Sequence, residues 1–149
     1  MPAFNADEAA YILQRGQTQV TGQAWLLEPS GNIREGALAT VELIPETAYS
    51  KRYMVRMFGK RRVARRIAAR DEDFGAFQRY LRRTTTGHDG SFNFANVPAG
   101  NYYVVASLSW PRPGQHFPES AHVYQRIAVP AFGAIEVDLS GHYDPKAPF

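Results

Sequence analysis

The 149 residues are 44% hydrophobic and 21% charged, a globular composition that excludes a wholly disordered chain. Cysteine is absent, which removes disulfides, thiolate nucleophiles and cysteine metal sites. The net charge of +3 is unevenly spread: residues 51–83 hold 12 Lys and Arg against Asp71, Glu72 and Asp73, net +9, while the remainder carries −6.

Residues 1–17 read as an N-terminal extension in which Ala9–Leu13 offers a short helical turn or an edge segment. The first eight residues lack the basic and apolar stretches of a secretory signal. From Thr18 the pattern becomes strand-like, with Val20, Ala24 and Leu26 on one side, Trp25 and Leu27 on the other, and Gly22 interrupting. Glu28–Asn32 supplies turn chemistry, and a second strand over 39–44 stops at Pro45, which cannot donate to a ladder.

Residues 46–83 break this rhythm and are expected to form a basic, partly helical insertion. On a helix from about Arg61, the residues Val63, Ala64, Ile67 and Ala68 share one face, and Arg61, Arg62, Arg65, Arg66 and Arg70 share the other. Phe74 and Leu81 would continue the apolar stripe, although Gly59 and Gly75 oppose one unbroken helix. Tyr53–Phe58 fits a strand or a buried helical turn equally.

Strand signals then return. Residues 83–86 and 91–94 flank Gly87-His88-Asp89-Gly90, which predicts a hairpin. Tyr102–Trp110 reads as a long buried strand with Tyr102, Val104, Ala106, Leu108 and Trp110 toward the core. A loop to about Ser120, a strand over 122–129, a turn at 130–133, a last strand over 134–139 and a tail over 141–149 complete the chain. The count predicts a mainly β, seven-stranded antiparallel sandwich occupying 18–140.

The stretch from Thr86-Gly87-His88-Asp89-Gly90-Ser91-Phe92-Asn93-Phe94 through Val97-Pro98-Ala99-Gly100-Asn101-Tyr102 resembles the signature of the carboxypeptidase regulatory-like domain, a transthyretin-like β-sandwich. Residues 20–24 and 36–43 are similar to the opening strand, turn and second strand of such domains. The motif is itself a packing device: two phenylalanines project to one face, Pro-Ala-Gly forces a tight return, and Tyr102 is expected to begin the partner strand. The resemblance implies a folding, binding or adhesion module of envelope or secreted proteins without an active site. A periplasmic or cell-surface location is therefore expected, resting on a leader outside these residues, while a cytoplasmic one stays open.

Five arginines on one helical face would hold a polyanion, because guanidinium forks bind phosphate and carboxylate bidentately. The expected partner is an acidic protein or an anionic envelope component such as a lipid head group or lipopolysaccharide, with peripheral membrane contact and no transmembrane segment. Nucleic acid ranks last, since Phe58, Phe74, Phe77 and Tyr80 are spaced for core packing at least as well as for stacking. Against any partner stands the reading that these arginines pair with the domain's own acids. Trp110, before Pro111-Arg112-Pro113, is either an aromatic platform for a sugar or peptide or a core residue.

No catalytic residue, cofactor or metal is expected. His88, His116, His122 and His142 lack the close spacing of a metal site, and no Gly-x-Ser-x-Gly elbow occurs. The alternative is an enzyme or metal-binding protein on the same sandwich that uses His116, His122 and Tyr124. It lacks the C-terminal Tyr-Arg-Gly-Ser of hydroxyisourate hydrolase and the paired histidines of intradiol dioxygenases.

Overall fold

The computed structural model describes residues 2–146. The alternation of β1 (Gln17–Leu27) places Val20, Ala24 and Leu26 inside a core, and Trp25 on the outer face. Beside it lie β2 (Ile33–Glu35), β6 (Ser91–Val97) and β9 (Phe132–His142). β9 pairs along all of β1, from Gln17↔Phe132 to Leu27↔His142, so β2 and β6 share its other edge end to end. The second sheet runs in the order β4 (Val63–Ala64), β8 (Glu119–Val129), β7 (Gly100–Trp110), β3 (Thr40–Pro45), β5 (Arg82–Thr85).

The two sheets share one core, in which Phe92, Phe94, Val137 and Leu139 meet Val41, Leu43, Val104, Leu108 and Val123. All five expected inward positions of β7, from Tyr102 to Trp110, lie in it.

Among the described residues nine strands form rather than seven. β2 and β4 span three and two residues, too short to show a period, and exist because neighbouring strands leave backbone groups to pair. The sheets are also not wholly antiparallel, since β9 lies parallel to β1. Nor do the strands around residues 87–90 form a hairpin. The turn closes locally, with Gly87 N donating to Ser91 O at 2.9 Å, but β5 pairs with β3 while β6 pairs with β1 in the other sheet. Tyr102 likewise begins a strand that partners β3 and β8, not β6.

The longer helix of the insertion precedes the stretch from Arg61, includes the undecided Tyr53–Phe58, and leaves only Phe74–Gln78 helical beyond it. After Pro45, Thr47 caps α2 (Ala48–Phe58) reciprocally: its side chain accepts from Ser50 N at 3.0 Å, and its backbone N–H donates to Ser50 Oγ at 2.7 Å. Gly59, at φ 61°, ends the helix. α2 buries Tyr49, Met54, Met57 and Phe58 against Ile44 of β3 and against Tyr103 and Val105 on the odd-numbered face of β7, as a third layer. α3 (Phe74–Gln78) adds Phe74 and Phe77.

Residues 61–70 form no helix. Val63 and Ala64 pair with Val123 and His122, and Tyr124 N donates to Arg62 O at 3.1 Å. Satisfying the edge of β8 prevails over a weak stripe of small apolar residues, and Ile67 is left exposed.

Segments near both ends of the described residues pack into the fold. Between the short α1 (Ala6–Ala9) and β1, a 3-10 turn over Ala10–Leu13 buries Ile12 in the core. β9 extends through Gly141 and His142, and Tyr143 is buried against Trp110. Of the expected tail, residues 147–149 lie outside the described residues.

Candidate functional site

Where the free edge of β9 faces β8 and β4, the two sheets leave a lateral cleft. One part of it, about 420 Å³, is lined by Arg61, Arg62, Val63, Arg65, Gly141, His142 and Asp144. Three of the five expected arginines thus converge, although by a route other than a helical face. β4 turns successive residues to opposite sides, and its pairing with β8 brings the chain around it alongside the end of β9. Gly141 permits this approach, since a Cβ there would lie 2.4 Å from Val63 Cγ2.

The arginines are held as well as gathered. Arg62 donates through Nη2 to Gln125 Oε1, and Arg65 lies 3.5 Å from Glu119. Glu119 is also reached by Arg112, at 3.2 Å, and by the Tyr143 hydroxyl. Three guanidinium groups stand at the cleft against Asp144 and, on Arg65, Glu119; this excess of positive groups suits an oxyanion with two or more acceptor oxygens.

The other two arginines lie elsewhere. Arg66 lines a shallow neighbouring depression with Arg65, Pro118, Glu119 and Ser120, and Arg70 stacks on Phe74 with its Cζ 4.7 Å from the ring centre. Much of the remaining basic charge is engaged inside the fold. Asp71 accepts from the Tyr49 hydroxyl at 2.8 Å and pairs with Arg56 at 3.3 Å, and these contacts hold its carboxyl below the usual range. Arg83 meets Glu42 at 3.0 Å.

Trp110 is 8% exposed, and Tyr143 lies edge-on at 5.1 Å, so its ring packs in the core rather than serving as a surface platform. The exposed-face aromatic at the cleft is Trp25, which the sequence reading did not single out. It lines the adjoining part with Leu27, Arg62, Ser140, Gly141 and His142. Ile135, Val137 and Leu139 alternate with Glu136 and Asp138, which sets the two acids outward, and continuing the alternation to 142 adds Ser140 and His142.

His116, His122 and Tyr124 do not form a shared site. His116 is exposed in the β7–β8 loop, and Tyr124 packs on Phe58 at 4.5 Å. His122 is buried beside Ser107, with Oγ and Nδ1 2.8 Å apart. Among the described residues no three His, Asp or Glu side chains converge as metal ligands, and no helix is long and apolar enough to cross a membrane.

Burial pulls the His122 imidazole below its ordinary value of 6.5. The unfolded chain therefore takes up a proton that the folded chain refuses, so this contribution to stability is full above that value and is lost as pH falls toward the folded-state value. Urea melts between roughly pH 5 and 7.5 should show stability declining with acid, and His122→Gln should flatten the decline. Superimposable wild-type and variant profiles would show that folding does not disfavour protonation of this ring.

No protein-family profile and no curated protein matches the chain. A crystal structure from Pseudomonas aeruginosa, described as a candidate carbohydrate binding protein, is similar with a TM-score of 0.74 and 28% identity, over 94% of this chain and 99% of that one.

Proposed function

We propose that the protein is a non-catalytic binding module of the cell envelope that takes an acidic carbohydrate in the lateral cleft. The observation that carries this reading is the convergence of Arg61, Arg62 and Arg65 with His142 on one concave surface. Guanidinium forks recognise a sugar carboxylate or phosphate bidentately, and hydroxyl-bearing rings suit the polar rim that Ser140 and Asp144 provide. The candidate carbohydrate-binding neighbour supports the ligand class. The carboxypeptidase regulatory-like resemblance of residues 86–102 supports a transthyretin-like module at the envelope. Among the described residues the cleft lining pairs no nucleophile with a base, and the Ser107–His122 pair lies on the other face of the second sheet, where the helical layer packs.

The test is binding of a panel of acidic and neutral oligosaccharides across a salt series, with wild type and an Arg61/Arg62/Arg65→Ala protein shown to be folded by its thermal melt. The acidic members should bind wild type, weaken steeply as the screening length shrinks to about 8 Å near 0.15 M salt, and bind the variant at least tenfold more weakly. Equal binding of neutral and acidic members, or an unaffected variant, would defeat the proposal. Retention by anionic vesicles alone would move the ligand from carbohydrate to lipid.

A further inference from the structure

The cationic part of the cleft opens directly onto a second part of different chemistry. Trp25 and Leu27 stand on the outer face of β1, and the parallel register sets them beside Ser140 and His142 of β9. Arg62, Gly141 and His142 line both parts, so the two are continuous. The indole is oriented: Trp25 Nε1 donates to Asp138 Oδ1 at 2.9 Å, which ties its polar edge to the neighbouring strand. Along β9 the outward side chains Asp138, Ser140 and His142 recur at about 7 Å intervals, twice the rise per residue of a strand. Arg62 also borders a third depression with Gln125, Glu136, Asp138 and Ser140, which carries the polar strip onward along β9.

We propose that Trp25 is the stacking platform of a second sugar subsite, so that the ligand is an oligosaccharide held over consecutive rings rather than a single acidic sugar. This rests on the acidic-carbohydrate reading of the arginine cleft and adds a residue and a ligand length to it. A pyranose has one face rich in C–H groups, which loses contact with water when it lies on an indole, while its rim of hydroxyls requires hydrogen-bond partners. Trp25 supplies the flat apolar surface. Asp138, whose carboxylate has more acceptor sites than one indole N–H uses, and Ser140 supply polar partners beside it. An acidic substituent on the adjoining ring would enter the arginine pocket, which fixes the direction of the chain along β9.

The experiment titrates wild type, Trp25→Ala, Trp25→Phe and Arg62→Gln with mono- to hexasaccharides of galacturonate, mannuronate and glucuronate and with a phosphorylated glucan series. It reads calorimetric affinity and tryptophan fluorescence, after a thermal melt of each variant. Wild-type affinity should rise at least tenfold from monomer to tetramer. Trp25→Ala should abolish that rise while leaving monomer affinity within twofold, Trp25→Phe should restore part of it, and Arg62→Gln should weaken every length. The fluorescence change on saturation with the tetramer should disappear in Trp25→Phe, because Trp110 is buried. Wild-type affinity independent of length, or a Trp25→Ala protein that keeps the full rise, would overturn the second subsite and leave the arginine cleft standing. Failure of every acidic member to bind wild type would overturn the acidic-carbohydrate reading and this inference with it.

Discussion

Gly16→Ala is expected to cost about 3 kcal/mol of folding stability and to lower the thermal midpoint by roughly 10 °C. A Cβ on Gly16 would lie 2.1 Å from the carbonyl carbon and oxygen of Val97 and 2.2 Å from Pro98 N. All three are backbone atoms, so no rotamer change relieves the overlap, and the approach of the N-terminal segment to the end of β6 must open. The usual gain from restricting an unfolded glycine, about 0.4–1 kcal/mol, is too small to offset this. Gly75 is the internal control. It is exposed in α3 and its Cβ would meet nothing within 4 Å, so Gly75→Ala should be neutral or slightly stabilising. Chemical denaturation of both variants checks the pair, and a Gly16→Ala protein as stable as wild type would refute the close approach.

Arg82→Ala is expected to lose about 2–3 kcal/mol and to release the N-terminal segment before the rest of the fold. Its guanidinium donates to Ile12 O at 2.9 and 3.3 Å, to Gln14 O at 2.9 Å, and to Ala95 O and Asn96 O at 3.0 Å each. One planar fork therefore ties the 3-10 turn to the end of β6 and satisfies carbonyls on both. Lysine keeps the charge without that geometry, so Arg82→Lys should recover less than half of the loss. Amide exchange of residues 11–14 should accelerate in Arg82→Ala under conditions where β7 remains protected. Unchanged exchange there would separate Arg82 from the docking of the segment. Because Gly16 N and Arg82 both bond Asn96 O, the double variant should cost less than the two single losses combined.

Arg82 also marks what the insertion contributes. Arg82 was counted as part of a basic stretch, yet it is an internal bracket, and Arg56 and Arg83 pair with acids of the same chain. The reading in which charge runs pair within the domain therefore describes part of the segment. Arg61, Arg62 and Arg65 differ by lining a concave surface that they share with β9. The distinction is one of placement: arginines of identical chemistry bracket the interior of the fold, as Arg82 does, or border a cavity large enough for a ligand, as Arg65 does while also meeting Glu119.

Local order in the chain was enough to specify the strands that carry an apolar alternation over five or more residues, such as 18–27, 102–110 and 134–139, together with their inward faces and the turns of Gly and Pro between them. Period-two burial is a property of neighbouring residues and needs no knowledge of partners. Pairing was beyond its reach. Whether β5 and β6 close on each other or part to separate sheets, and whether β9 runs parallel to β1, depends on contacts between residues distant in sequence. The same limit left Tyr53–Phe58 undecided between strand and helix, because α2 is specified by the Thr47–Ser50 cap and by the face it buries on β7, while the more regular-looking 61–70 is claimed by the edge of β8. The cleft follows from those tertiary pairings alone: Arg62 and Trp25 stand 37 positions apart in the sequence, and only the meeting of β4, β8 and β9 sets them around one cavity.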